Sequence, residues 1–302
     1  MESILKRLKR GDIIVGDGAL GTLLIQRGLK IGEPPESVNL RNPQHLEEIA
    51  SLYIEAGAEI ITTNSFGASS LKLQHFSLDK EVEKINRRAV EAARKVAGNR
   101  AYVAGSVGPT GKLLQPFGST TSEEIYESFC GQIGILLSGG IDMVCIETMT
   151  DLSEAELAVN AARALDTDIP VMSTVTYQER PKGFFTLMGS SIRESVERLK
   201  KAGADIVGSN CGNGSESMVR IAREFMQHSQ LPVAIQSNAG LPVQSDKGLS
   251  YPETPDFLAA SVAEMLGYGV QIVGGCCGTG LDHIRAIRKT VDDYMKTNPA
   301  NS

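Results

Sequence analysis

Short unbroken apolar runs recur along the whole chain, each separated from the next by a longer stretch of helical periodicity. Eight stand out, over residues 13–15, 59–63, 102–105, 142–147, 171–175, 205–209, 233–236 and 271–274. Most hold consecutive Val, Ile or Ala rather than alternating apolar and polar positions. Strands of that kind are covered on both faces, the condition of parallel strands lying beneath helices. Helical patterns fall between them over residues 43–56, 122–137, 153–164, 192–200, 215–228 and 255–266. Several close on glycine just before the next strand, as in Lys201-Ala202-Gly203-Ala204-Asp205 and Leu266-Gly267-Tyr268-Gly269-Val270. The left-handed turn that ends a helix favours glycine at that place.

The repetition of strand, helix and glycine predicts βαβ units with right-handed crossovers, closed into one (β/α)8 barrel over residues 1–302. A doubly wound open sheet is the rival architecture. No linker or shift of composition divides the chain. The longer interruptions, at 26–42, 112–121, 178–190 and 238–253, follow strands, and in a barrel such loops build the catalytic face.

Composition narrows the function classes. Of 302 residues, 41% are hydrophobic and 22% charged, the balance of a globular protein with ample core. The net charge is −6 and no block of Lys or Arg is interleaved with aromatics, which argues against a nucleic-acid partner. No apolar run approaches the roughly 20 residues of a membrane helix. The opening segment Met1–Arg10 has no apolar signal core, so a cytoplasmic location and no membrane partner are expected. Five cysteines, an odd count in a large chain, do not suit a disulfide framework.

Three of those cysteines follow strand-like runs: Cys211 after the sixth, and Cys276 and Cys277 after the eighth. The seventh strand between them leads into Asn238. Thiols at neighbouring strand ends converge without a long reach, and three soft ligands with a fourth position open describe a Zn2+ site able to take a substrate thiol. Neighbouring residues at a strand end point to opposite faces, so using both Cys276 and Cys277 requires an irregular turn, which the surrounding glycines permit. The competing reading of Gly274-Gly275-Cys276-Cys277-Gly278-Thr279-Gly280 is a tight turn, or a phosphate anchor near the eighth strand as in barrel aldolases. No lysine lies in the strand runs to serve such an aldolase. Cys130, in a helix, and Cys145, inside the fourth strand, read as small hydrophobes. His45, His75 and His228 lie in amphipathic helical stretches, and His283 opens the last helix just beyond the cysteine pair.

These motifs resemble the homocysteine S-methyltransferase family, whose zinc cysteines occur as Asn-Cys and Gly-Gly-Cys-Cys-Gly. Both are here, as Asn210-Cys211 and Gly274-Gly275-Cys276-Cys277-Gly278. The likeness runs through Asp17-Gly18-Ala19-Leu20-Gly21-Thr22, Thr62-Thr63-Asn64-Ser65-Phe66, Gly105-Ser106-Val107-Gly108-Pro109, Ile146-Glu147-Thr148 and Ser237-Asn238-Ala239-Gly240-Leu241-Pro242. The last segment is similar to the homocysteine module of cobalamin-dependent methionine synthase.

The resemblance implies a homocysteine S-methyltransferase that uses Zn2+ on Cys211, Cys276 and Cys277. Zinc deprotonates a bound thiol, and an all-sulfur site leaves that sulfur nucleophilic. By the same likeness Asp17 and Glu147 hold the substrate ammonium. Asn64, Ser65 and Ser106 lie at the carboxylate, through backbone N–H groups around Ser65 and Ser106. Asn238 fills the fourth zinc position until sulfur displaces it, with bonding of its own loop as the alternative. There is no Asp-x-His-x-x-Gly segment for a corrinoid's lower ligand. The implied donor is therefore methylcobalamin on a separate corrinoid protein, with S-methylmethionine or a betaine-type donor second. A zinc-stabilised, non-enzymatic partner-binding subunit is the alternative from another class.

Overall fold

The computed structural model describes residues 1–30, 32–245 and 248–298. The barrel strands are β1 Ile14–Val15, β2 Ile60–Thr62, β3 Tyr102–Val107, β4 Met143–Met149, β5 Val171–Val175, β6 Ile206–Asn210, β7 Val233–Ser237 and β8 Ile272–Gly275. Each is followed in turn by one outer helix: α1 Pro43–Glu55, α2 Val82–Ala97, α3 Ser122–Ser138, α4 Leu152–Leu165, α5 Ile192–Ala202, α6 Ser215–His228, α7 Pro255–Tyr268 and α8 Leu281–Thr297. The strands pair in the order β1-β8-β7-β6-β5-β4-β3-β2, all parallel. A parallel bridge between Gly16 and Ile60 joins β1 to β2 and closes the ring. The expected (β/α)8 barrel is the observed one.

Local chemistry sets the element ends. Thr121, Asp151, Ser191 and Thr254 cap α3, α4, α5 and α7 through their side chains. Gly203 and Gly269 adopt φ of 108° and 98° and close α5 and α7 as expected.

The strands are buried on both sides, which explains their unbroken apolar sequence. Ile14, Ile60, Met143, Cys145, Met172 and Ile272 belong to the cluster that fills the barrel. Ile4 and Leu8, from the helix Ile4–Arg10, join that cluster. The alternate strand positions face the outer helices and form a second, larger core with them. Cys145 is thus interior filling, while Cys130 packs against the outer core.

Three features differ from the sequence expectation. β3 and β4 run on to Val107 and Met149. The stretch after β1 contains two short helices, Leu20–Gln26 and Ser37–Arg41. Those after β5 and β7 fold into small antiparallel hairpins, Gln178–Arg180 with Gly183–Phe185 and Val243–Ser245 with Gly248–Ser250. The glycines at 16, 18 and 21 match the Gly-x-Gly-x-x-Gly spacing of dinucleotide-binding open sheets. Here Gly18 serves packing, because a Cβ would stand 2.8 Å from the Thr279 carbonyl oxygen and 2.9 Å from the Tyr53 hydroxyl.

Candidate metal and substrate site

Inward-facing positions alternate along each strand. The upper inward positions of β3, β4 and β6 are Ser106, Glu147 and Asn210, and Cys276 follows β8 in the same alternation. Cys211, one step beyond Asn210, would point outward in a regular strand. Its backbone instead takes the left-handed conformation, φ 60°, which is uncommon for a side chain other than glycine. That kink directs its thiol back across the barrel mouth.

The three sulfurs of Cys211, Cys276 and Cys277 lie within 4.8 Å of one another. Cys211 Sγ and Cys277 Sγ are 3.7 Å apart. Zinc–sulfur bonds of about 2.3 Å in a tetrahedron separate sulfurs by about 3.8 Å, so the spacing suits a single ion. All five cysteines are free thiols. Contacts from Cys211 and Cys276 pull the Cys277 thiol down, whereas Cys276 is pushed well above its ordinary value by its contacts with Cys211 and Cys277 and by burial. Cys211 is also pushed up: its contact with Cys276 favours ionisation, but its contact with Cys277 and burial outweigh that. Ionisation is thus favoured at Cys277 and resisted at the other two, and a bound divalent cation would favour it at all three.

A cavity of about 590 Å³ opens onto this trio, and all three cysteines line it. Asp17, Asn64, Ser106 and Glu147 line it as well. Asp17 Oδ2 accepts hydrogen bonds from the Thr62 backbone N–H at 2.8 Å and the Thr62 hydroxyl at 2.9 Å. Burial nevertheless raises the Asp17 carboxyl to about 6. Glu147 accepts from the Ser106 hydroxyl. Burial, aided by the nearby charges of Asp17 and Cys277, raises Glu147 to about 7. Two carboxylates that resist ionisation side by side are relieved by a cationic ligand.

The other expected residues are placed differently. Ser65 is buried, with its hydroxyl donating to the Ser106 carbonyl at 2.7 Å and its N–H to the Thr63 carbonyl at 2.8 Å. The Ser106 N–H donates to Thr63 Oγ1 at 3.0 Å. Both backbone donors are thus engaged within the protein. The N–H groups of Asn64 and Phe66, on either side of Ser65, have no acceptor among the described residues. The Asn64 side chain donates to the Pro35 carbonyl and Asn39 Oδ1, tying the loops after β1 and β2 together. Asn238 is buried, and its Oδ1 has no hydrogen-bond donor among the described residues.

Asn210 was not assigned a role from the sequence, although its neighbour Cys211 was. Its Oδ1 accepts from the Thr148 N–H and the Thr174 hydroxyl, both at 2.7 Å. Its Nδ2 lies 2.7 Å from Thr148 Oγ1, 3.4 Å from Glu147 Oε2 and 3.8 Å from Cys276 Sγ. The side chain thereby links β4, β5 and β6 to one of the thiols. The Asn-Cys pair was the available signal. The glycine turn at 278–280 offers little to a phosphate, because the N–H groups of Gly278, Thr279 and Gly280 bond to Thr22 Oγ1, the Cys276 carbonyl and His283 Nδ1.

The sequence pattern of the homocysteine S-methyltransferase family matches residues 14–291, nearly the whole barrel. The chain belongs to that family. Among curated relatives of the family, a methionine synthase of Mycobacterium leprae is 34% identical over 296 residues, covering 92% of this chain and 24% of that protein. A methionine synthase of Mycobacterium tuberculosis is 33% identical over 301 residues, covering 94% and 25%. The chain spans about a quarter of the length of these relatives. Among solved structures, the metallated form of the homocysteine methyltransferase MmuM from Escherichia coli superposes with a TM-score of 0.76 at 24% identity. That superposition covers 94% of this chain and 98% of the other, and supports the barrel fold. No helix among the described residues is long and apolar enough to cross a membrane.

Proposed function

We propose that this chain is a zinc-dependent homocysteine S-methyltransferase that forms methionine with a methyl group from methylcobalamin on a separate corrinoid protein. Residues 1–302 act as one homocysteine-binding domain. One observation carries the reading: three free thiols face the same cavity as two charge-resisting carboxylates, Asp17 buried and Glu147 half-buried.

Cys211, Cys276 and Cys277 hold the zinc, and the bound ion supplies deprotonation of the substrate thiol at neutral pH. Asp17 and Glu147 take the substrate ammonium, with Ser106 orienting Glu147 through its hydroxyl. The N–H groups of Asn64 and Phe66 meet the carboxylate, while Ser65 braces that loop against Ser106. The buried Oδ1 of Asn238, which has no hydrogen-bond donor among the described residues, would supply an oxygen ligand to the ion in the absence of substrate. The thiol proton leaves to solvent. The sulfur lone pair then forms the bond to the methyl carbon as the carbon–donor bond breaks, and the donor keeps that bond's electron pair.

A donor carried on a protein agrees with the rim of the cavity. Phe66, Leu113, Phe117, Leu187, Met188 and Leu241 are large apolar residues left exposed on the loops at that end of the barrel. The five free thiols suit a reducing compartment, and we assign the protein to the cytoplasm on that ground.

Metal analysis and X-ray absorption test the reading directly. About one zinc per chain is expected, with homocysteine changing its ligand set from three sulfurs to four. A metal with no response to homocysteine points instead to a structural ion. Methionine formation with a methylated corrinoid protein, free methylcobalamin, S-methylmethionine and betaine, each supplied alone, sorts the donors.

A further inference from the structure

The three thiols come from two loops far apart in sequence, and their spacing depends on what ties those loops together. Glu253, at the end of the loop that follows β7, uses each of its three polar groups on a different partner. Its carboxylate accepts the Ser215 N–H at 3.1 Å from both oxygens. Ser215 is the first residue of α6 and closes the loop that begins at Cys211. Its N-cap, Gly214, supplies no side-chain bond, so Glu253 satisfies an otherwise orphaned donor at the positive end of that helix.

The other two groups reach the second cysteine loop. The Glu253 N–H donates to the Ala239 carbonyl at 2.9 Å, and the Ala239 N–H donates to the Cys277 carbonyl at 3.0 Å. The Glu253 carbonyl lies 3.0 Å from His283 Nε2. His283 Nδ1 accepts the Gly280 N–H at 3.2 Å, which fixes the imidazole as the Nε2–H tautomer donating to Glu253. Gly280 is three residues past Cys277, at the start of α8. The contact with α6 is also close, because a Cβ at Gly214 would stand 2.4 Å from Glu253 Oε1.

We infer that Glu253 is the positioning residue of the cysteine trio, with His283 as its second arm, holding the Cys211 loop and the Cys276–Cys277 loop at metal-binding distance. Neither residue lines the cavity that the three cysteines face. The inference rests on the reading of the trio as a zinc site. It assigns the orienting role that supporting hydrogen bonds play around metal ligands to a residue outside the ligands' own loops.

The experiment uses the full chain in wild-type, Glu253→Ala, Glu253→Gln and His283→Ala forms. Zinc affinity is measured by chelator competition, and the Co2+-substituted protein is followed by its thiolate charge-transfer and d–d absorption. Glu253→Ala should weaken zinc binding at least tenfold and shift the cobalt bands. Glu253→Gln, which keeps an oxygen for the Ser215 N–H, should recover affinity to within about threefold of wild type. His283→Ala should weaken binding at least fivefold and carries the test if Glu253→Ala does not fold. Zinc affinity and cobalt spectra within twofold of wild type in the alanine variants overturn the inference alone. A wild-type chain that binds no zinc overturns the proposed function, and this inference with it.

Discussion

Replacing Glu147 with glutamine should make the metal-free chain more stable and its grip on homocysteine weaker. The opposite signs follow from one cause. Burial raises the Glu147 carboxyl from its usual 4.5 to about 7, so the fold keeps it protonated in a range where the unfolded chain does not. Its favourable contribution is full below about pH 4.5 and is lost as the pH rises through about 7. At about 1.4 kcal/mol per pH unit the ionised side chain costs the fold up to about 3 kcal/mol at pH 8. Water in the open cavity screens part of that, leaving a gain of about 1–2 kcal/mol for the uncharged variant. In a chain of this size that corresponds to a melting temperature higher by about 2–4 °C at pH 8, shrinking towards zero at pH 5. The substrate side moves the other way. Losing one charge-assisted hydrogen bond to the ammonium costs about 2 kcal/mol, a factor of about 30 in affinity. Thermal denaturation of the metal-free proteins from pH 5 to 8.5, and calorimetric titration of the zinc-loaded proteins with homocysteine, read both quantities. A variant that melts lower than wild type at pH 8, or binds homocysteine equally well, refutes the reasoning.

Homocysteine affinity in the wild-type protein should improve as the pH rises through about 6 to 7, where Asp17 and Glu147 ionise; a thiol of the same length without the amino group should show in calorimetry only the rise that loss of its own thiol proton brings, with no added step in that range. Cys211→Ser should fall well below one zinc per chain after dialysis, measured by elemental analysis, while its circular dichroism stays that of the barrel. Gly208→Ala, in β6, should abolish soluble folded protein, because the added Cβ would meet the Ala234 carbonyl oxygen at 1.8 Å on the paired strand β7; a folded variant with a normal melting curve contradicts that packing.

The eight strands were legible because each is covered on both faces and therefore reads as an apolar run. The hairpin Gln178–Arg180 was not, since its first strand is exposed at every position and carries no apolar pattern. The gathering of the three thiols was legible from residue type and strand order alone. What the sequence did not disclose is the conformation that makes it work: Cys211 reaches its partners through a left-handed backbone. Asn210 and Glu253 were invisible for a related reason. A polar side chain announces nothing about partners that lie 36 to 66 residues away in the chain, and their value lies in those partners. The same limit explains Ser65 and Ser106, whose backbone donors proved to be engaged internally. The glycines at 16, 18 and 21 show that spacing shared with an open-sheet motif means little until strand pairing is known.

The charges around the cavity select the ligand more sharply than its shape does. A divalent ion on three thiolates leaves a formal charge of −1, and the neighbouring Asp17 and Glu147 add to it when they ionise. An anionic substrate such as a phosphate ester would meet repulsion from every side of that corner. A molecule with an ammonium at one end and a thiol at the other meets what each end requires. The single amide nitrogen of Asn210 lies near both Glu147 Oε2 and Cys276 Sγ. The Glu147 carboxylate and the Cys276 sulfur, to which the proposed function gives the ammonium and the metal, are therefore bridged by one side-chain amide. On the proposed function, a short aminothiol suits a corner in which a carboxylate and a thiol share one amide neighbour.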